Sequence, residues 1–325
     1  MTYLLLLIGL ILLIAGGELL VRGAVRIAEH FKLSPMLIGL TIVGMGTSMP
    51  ELAASVQAAM AGSPGIALGN IVGSNIANLL LILGIAVLLS PFVVPRSVLW
   101  RDGGVGLACV AILLLAGHLF GLTRGVGIVL VLGMIAYVYF AFRQEKAGQT
   151  HSAAYDKAMA LEEADPGLVP SAEPKGSLIL PIFLFLGGMA LIVTGGSLLV
   201  DAAIAISASL GVSDEVIGLT VVAVGTSLPE LVTSAIAAIK RHGEIALGNV
   251  LGSNIYNILF IGGVTGIVSP SQIPATIVQF DLLVLLGVSA LVMLFAFTGG
   301  KLSRGEGSLL IAGYAGYTAI TAGLI

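Results

Sequence analysis

The chain contains one stretch of sequence twice, and this internal repeat limits its possible folds more than any other feature. Residues 39–84 align without gaps with residues 218–263 at an offset of 179 residues, and 26 of the 46 aligned positions are identical. Each copy carries one glutamate, Glu51 or Glu230, within a run of apolar and small residues. We therefore predict a duplicated fold whose chemistry lies in the repeated part.

The composition indicates a membrane protein. Hydrophobic residues make up 58% of the chain, only 10% of residues are charged, and the mean hydropathy is +1.11; soluble domains carry about 25% charged residues. The 14 Lys and Arg residues are too few and too dispersed for a nucleic-acid-binding face. A transmembrane helix needs about 20 apolar residues. The sequence predicts ten spans, at 3–23, 36–60, 66–89, 102–120, 124–142, 178–199, 215–239, 245–268, 278–297 and 306–325.

The basic residues predict the orientation of these spans. Thirteen of the 14 Lys and Arg residues fall in alternate connections, and only Arg124 falls on the opposite side. Cytoplasmic loops carry an excess of Lys and Arg, so we predict that both termini lie outside. The cytoplasmic connections would be 22–35, 90–101, 143–177, 240–244 and 298–305.

Five spans in each half would place the two copies upside down relative to each other, a common architecture of secondary transporters. We predict an all-α membrane protein with ten transmembrane helices as two inverted five-helix repeats, at 1–142 and 178–325. The cytoplasmic linker at 143–177 is charged and contains three prolines. It is therefore predicted to be mostly flexible, without a packed core and with room for one short helix near 155–164.

Each copy is predicted to contain a broken helix at the midplane of the membrane. Pro50 and Pro229 each remove a backbone donor within a span, so breaks are expected near 44–50 and 223–229. Unpaired carbonyls at membrane depth are tolerated where they line a cavity or meet an ion. Alternatively, the Ser-x-x-Glu spacing of Ser48 and Glu51 is typical of a capping box. An ionisable residue within the membrane is a functional-site hypothesis by default. The glutamate could bind an ion and also help to start the new helix, so the two roles are compatible.

The polar residues of the two copies are oxygen donors, which favours hard cations such as Ca²⁺. Two carboxylates balance one Ca²⁺ or two Na⁺, and protons should compete for them. For Ser74, Asn78, Ser253 and Asn257, neutral hydrogen bonding between helices remains an alternative. Four further asparagines are expected to tie the broken backbone together: Asn70, Asn75, Asn249 and Asn254. The candidate ligands are Glu51, Glu230, Thr47, Thr226, Ser48, Ser227, Ser74, Ser253, Asn78 and Asn257.

The paired segments GTSMPE…GNIVGSNIAN and GTSLPE…GNVLGSNIYN resemble the two alpha repeats of the cation/calcium exchanger superfamily, specifically the prokaryotic sodium/calcium exchangers. The resemblance implies an antiporter of the prokaryotic inner membrane that exchanges Ca²⁺ for Na⁺ without a cofactor, and no obligate protein partner is evident. Glu51 and Glu230 would bind both ions. The Thr residues would add carbonyl and hydroxyl oxygens, and the Ser and Asn residues would complete adjoining Na⁺ positions.

The resemblance also implies that the first and sixth spans slide across a fixed core. Gly16-Gly17 and Gly195-Gly196 would allow close contact there. Some relatives, including the potassium-dependent branch, carry Asp where this chain has Asn257, which argues against K⁺ co-transport.

Three other functions remain to be weighed. A Ca²⁺/H⁺ exchanger could use the same two glutamates, and a Na⁺ gradient imposed at constant pH would distinguish it. A passive cation channel would need a continuous pore. An intramembrane hydrolase is disfavoured, because all four histidines fall in or beside predicted connections and none forms a buried Ser/His pair.

Glu18 is expected to form a surface ion pair with Arg22, four residues later.

Overall fold

The structure, a computed structural model, describes residues 2–31, 42, 44–94, 96–146, 153–166, 169 and 178–323. The side chains of residues 29, 97, 145, 146 and 299 are not among those described. The regular secondary structure of the described residues is helical apart from two-residue strands at Phe92–Val93 and Lys301–Leu302, which pair antiparallel, and one isolated bridge between Leu122 and Ser271.

Twelve helices organise the described residues. The first five are α1 Thr2–His30, α2 Met49–Met60, α3 Pro64–Leu89, α4 Leu99–Leu119 and α5 Arg124–Lys146. A linker helix, α6 Ala153–Ala164, follows. The last six are α7 Ile179–Leu210, α8 Asp214–Thr226, α9 Leu228–Ile239, α10 Gly243–Val268, α11 Ile277–Thr298 and α12 Arg304–Thr321.

Seven of these helices are long and apolar enough to cross a membrane: α1, α3, α4, α5, α7, α10 and α11. Helices α8 and α9, bent by 47° at their junction, make an eighth span if counted together. The predicted span at 36–60 lies partly outside the described residues. Helix α12 has a polar first turn, with Arg304 and Glu306. The protein is therefore a helical membrane protein with seven to eight candidate spans among the residues described.

Two helices are longer than predicted. Helix α1 continues through Arg22 and Arg26, which were expected in a connection, because no helix-breaking residue interrupts it before His30. Helix α7 continues past residue 199 to Leu210 and ends at Gly211, whose φ of 67° is left-handed. Glycine is the usual residue at such a helix end. Glu18 and Arg22 form the expected ion pair on α1, at 2.7 Å.

Helices α3 and α10 form the centre of the bundle. They are buried along most of their length, whereas α4, α5, α7 and α11 expose large apolar side chains, as helices facing lipid would. Both central helices widen into a π-helical turn that begins at an asparagine of the repeat, at Asn78–Ile82 and Asn257–Gly262. Such turns are frequent at functional sites.

Helices α1 and α7 lie against each other along a line of glycines. A Cβ atom at Gly16 would lie 2.8 Å from the backbone nitrogen of Ile192, and one at Gly195 would lie 2.8 Å from the carbonyl oxygen of Gly9. Gly17 instead faces α2, and Gly196 lies against the side chain of Gln57. One glycine of each predicted pair thus makes the close contact between the two helices.

The prediction that the linker has no packed core was wrong for residues 153–164, and the flexibility of the rest of the linker, much of which lies outside the described residues, stays a prediction. The short helix expected near 155–164 is present as α6, and it packs against α9 and α10 with six of its twelve residues buried. Four of those six residues are alanines, whose small side chains permit close approach. Composition alone did not predict this packing, because the residues that cover α6 come from distant parts of the chain. The domain boundaries at 142 and 178 stay predictions.

Candidate cation site

The two helix breaks lie where the prolines predicted them. After a short helical turn at Gly44–Gly46, Thr47 and Ser48 form a turn and α2 begins at Met49, with Pro50 in its first turn. In the second copy, α8 ends at Thr226 and α9 begins at Leu228. The breaks bring Glu51 and Glu230 to the start of new helices, where both side chains are completely buried.

Each carboxylate accepts a hydrogen bond from the serine of the other repeat. Ser48 Oγ donates to Glu230 Oε1 at 3.2 Å, and Ser227 Oγ donates to Glu51 Oε1 at 3.1 Å. Neither serine caps its own helix through its side chain. The capping-box alternative is therefore not realised here, and the two breaks meet at one place in the core.

Asn70 and Asn249 hold the backbone at the two breaks, as expected. Asn75 and Asn254 do not: Asn75 Nδ2 donates to the Ile71 carbonyl at 2.6 Å, and Asn254 Nδ2 donates to the Asn75 carbonyl at 3.2 Å. Asn70 Nδ2 donates to the Glu51 carbonyl at 3.2 Å and to Ser55 Oγ at 2.9 Å. Asn249 Nδ2 makes the equivalent bond to the Glu230 carbonyl at 3.2 Å, together with bonds to two hydroxyls on α9. Because the amides are buried and the bonds repeat in both halves, the start of each helix is fixed in position.

The remaining candidate ligands are buried around these carboxylates but differ in their partners. Thr226 Oγ1 donates to Asn70 Oδ1 at 3.0 Å, and Ser74 Oγ donates to the carbonyl of Ala223 at 3.4 Å. Asn78 Nδ2 donates to Asn254 Oδ1 at 2.9 Å. The bonds of Ser74 and Asn78 are neutral contacts between helices of the kind that the sequence left as an alternative, whereas Ser253 accepts from Lys157 and Asn257 has no side-chain partner among the described residues.

Several buried polar atoms have no hydrogen-bond partner among the described residues. They include the Oε2 atoms of Glu51 and Glu230, Asn78 Oδ1, and both side-chain polar atoms of Asn257. An unsatisfied buried polar group costs about 1–3 kcal/mol, and more when it is charged. A hard cation bound by oxygen would satisfy the carboxylate and amide oxygens, so the donor set fits Ca²⁺ or Na⁺.

One charged side chain at the candidate site, Lys157 of α6, was not among the residues that the sequence singled out. Its Nζ donates to Thr47 Oγ1 and to Ser253 Oγ, both at 2.6 Å, and lies 3.5 Å from Glu230 Oε1. Burial lowers the pKa of Lys157, and the nearby carboxylates of Glu230 and Glu51 oppose that shift. The sequence contains no signal for this contact, because a single lysine in an alanine-rich linker is typical of a solvated helix.

Comparison with known proteins decides the family. The family model described as "Sodium/calcium exchanger protein" matches residues 1–143 and 180–323. The chain belongs to the sodium/calcium exchanger family. The linker helix lies between the two matched ranges.

Relatives of this exchanger match along nearly the whole chain. The sodium/calcium exchanger MaX1 of Methanosarcina acetivorans is 35% identical, over 98% of each chain. The inner membrane protein YrbG of Escherichia coli is 32% identical, over 95% of this chain and 93% of its own. A solved structure of the sodium-calcium exchanger NCX_Mj, soaked with Na⁺ and Ca²⁺, is 34% identical with a TM-score of 0.62, covering 98% of this chain and 97% of that chain.

A cavity of about 640 Å³ reaches the candidate site of the exchanger from one side. It lies between α1, the linker helix α6 and α9, and its lining includes Thr47, Pro50 and Thr233. At its edge Arg22 pairs with Asp165, just beyond the end of α6, at 2.6 Å. The cavity therefore borders both the polar residues of the first break and the linker helix.

Proposed function

We propose that this exchanger moves Ca²⁺ and Na⁺ in opposite directions, with Glu51 and Glu230 as the ligands that both ions share. The observation that carries the proposal is the meeting of two fully buried carboxylates, each with one oxygen left unpaired among the described residues. Burying a charge at membrane depth is costly, and two carboxylates balance one Ca²⁺ or two Na⁺. The site is therefore stable with either cation and unfavourable when empty, which couples the exit of one ion to the entry of the other.

We assign the other ligands from their positions around the two carboxylates. We assign hydroxyl or carbonyl oxygens to Thr47 and Thr226, and hydroxyls to Ser48 and Ser227. The π-helical turns place Asn78 and Asn257 at the centre of the bundle, where they, with Ser74 and Ser253, would complete the Na⁺ positions.

The proposed architecture has ten spans. They are the seven long apolar helices, the α8–α9 pair, the segment at 36–60 and α12. The ten spans form two inverted halves about a site at the midplane of the membrane. The reciprocal Ser48–Glu230 and Ser227–Glu51 hydrogen bonds support a twofold relation between the halves. The distribution of basic residues supports termini outside and a cytoplasmic linker. Helices α1 and α7, in close contact through their glycines, would slide across the fixed core to alternate access to the site.

The experiment that tests this function is uptake of radiolabelled Ca²⁺ into proteoliposomes loaded with Na⁺. Uptake should follow an outward Na⁺ gradient at constant pH and stop when Na⁺ is replaced by choline. Uptake that responds only to a pH gradient would identify a Ca²⁺/H⁺ exchanger instead. Flux that persists without a counter-ion would indicate a channel.

A further inference from the structure

Two hydrogen bonds join α7, one of the helices proposed to slide, to helix α2 of the fixed core. Both involve Gln57 of α2: its Nε2 donates to the carbonyl of Val193 at 2.7 Å, and its Oε1 accepts from Ser197 Oγ at 2.6 Å. Helix α2 is tied to the core at its far end, where Ser269 Oγ donates to the carbonyl of Ala59 at 3.0 Å. Gln57 therefore connects a helix that is proposed to move with one that is proposed to stay.

The surface of α7 accepts the Gln57 amide in one register. Gly196 lies directly against it, and a Cβ atom there would be 2.9 Å from Gln57 Nε2. One turn before and one turn after, the same face of α7 carries Ile192 and Val200, which are both β-branched. A slide of one turn would break both hydrogen bonds and bring a branched side chain to the place that the amide needs.

The second repeat has no counterpart of this contact. At the offset of 179 residues, Gln57 corresponds to Ile236, and Ser197 corresponds to Glu18. Ile236 has no polar side-chain atom, and Glu18 pairs with Arg22 on its own helix at 2.7 Å. The hydrogen bonds of Gln57 therefore act on one side of an otherwise repeated arrangement.

The packing of the sliding helices is one-sided in the same sense. Ala53 of α2 lies in an apolar cluster with Leu13 of α1 and Ile192 of α7, and it is 9% exposed. Its equivalent in the second repeat, Val232 of α9, is 53% exposed and lines the cavity that reaches the candidate site. Helices α1 and α7 thus cover this position on α2 and leave its equivalent on α9 open.

We propose that Gln57 is a latch that positions the sliding helices: it holds α7 on α2 and favours the state in which the ion site is reached along α9. The proposal rests on the alternating access assigned above and adds the residue that makes its two states unequal. The hydrogen-bond partners of Gln57 belong to α7 and not to the proposed ligands, so it acts through the position of that helix. Hydrogen bonds between membrane helices are individually weak, so losing both should shift the balance of the two states by roughly tenfold.

Thiols at the two equivalent positions report this balance. In a Cys109→Ala background, Ala53→Cys should react slowly with N-ethylmaleimide in ion-free proteoliposomes, and Val232→Cys should react fast. Gln57→Ile gives the first repeat the residue of the second. If about nine molecules of ten are latched, a tenfold shift leaves about one in two, so labelling should become about fivefold faster at position 53 and about twofold slower at position 232.

Two further variants separate the latch from a general effect of the substitution. Gln279→Ile makes the same change at an exposed glutamine of α11 and should leave both labelling rates unchanged. Ser197→Ala removes one of the two hydrogen bonds without altering α2, so it should produce part of the shift. Added to Gln57→Ile, it should change nothing more, because its partner is already lost.

Opposite changes at positions 53 and 232 in Gln57→Ile, with smaller ones in Ser197→Ala, support the latch. Unchanged rates, changes of the same sign at both positions, or fully additive effects of the two substitutions overturn it. Labelling as fast at position 53 as at position 232 in the protein that retains Gln57 also overturns it. Absence of Na⁺-driven uptake by the unmodified protein would refute the proposed function instead.

Discussion

Replacing Glu51 by glutamine tests the shared-carboxylate site most directly. Glutamine has nearly the same shape as glutamate and keeps an oxygen that accepts the 3.1 Å hydrogen bond from Ser227. It removes the negative charge and leaves Glu230 as the only carboxylate for a divalent ion. We expect Glu51→Gln to fold, because the empty site then contains one fewer buried charge, and to lose Ca²⁺ transport.

The size of the effect follows from the complete burial of Glu51. Removing one partner of a buried ion pair costs about 3–5 kcal/mol, because the remaining charge is left uncompensated. Since about 1.4 kcal/mol corresponds to a tenfold change, the affinity for Ca²⁺ should fall by roughly two to four orders of magnitude. Water entering the site would bring the loss towards the lower value.

Two assays measure this loss independently. Na⁺-driven uptake in proteoliposomes should be absent at Ca²⁺ concentrations that saturate the unmodified protein. In detergent, the rise in Tm with Ca²⁺ should shift to correspondingly higher concentrations, because a ligand stabilises the state that binds it. The control is Glu18→Gln, the same change at a half-exposed side chain on α1. Near-normal uptake by Glu51→Gln would refute the shared-carboxylate site.

Two further predictions concern the other polar residues of the site. Asn249→Ala should destabilise the ion-free protein by about 1–3 kcal/mol, because it removes the buried amide that donates to the Glu230 carbonyl and to the hydroxyls of Thr233 and Ser234. Asn257→Ala should cost less in the same thermal unfolding assay, because the cavity that it opens is offset by the removal of polar atoms without partners among the described residues; equal losses would contradict this reasoning. Finally, if the Ser and Asn ligands hold a third Na⁺, a potential imposed with K⁺ and valinomycin should change the rate of exchange, and insensitivity would indicate two Na⁺ per Ca²⁺.

The sequence by itself determined the class of the protein and the location of its site. Apolar composition requires a membrane environment, and proline within an apolar span requires a break, so Pro50 and Pro229 marked the helix starts that carry Glu51 and Glu230. The roles of Asn70 and Asn249 also followed, because freed backbone groups need nearby partners. These conclusions depend on local chemistry and on a repeat that is visible by alignment.

The tertiary structure alone decided which groups meet. Ser48 and Glu51 have the spacing of a capping box, yet Ser48 bonds Glu230, which is 182 residues away. Lys157 looked like a solvated linker residue, yet it is buried against Thr47 and Ser253. A polar side chain bonds whatever acceptor the packed fold brings within about 3 Å. That acceptor depends on how the two halves and the linker pack together, which the spacing of residues along one helix does not specify.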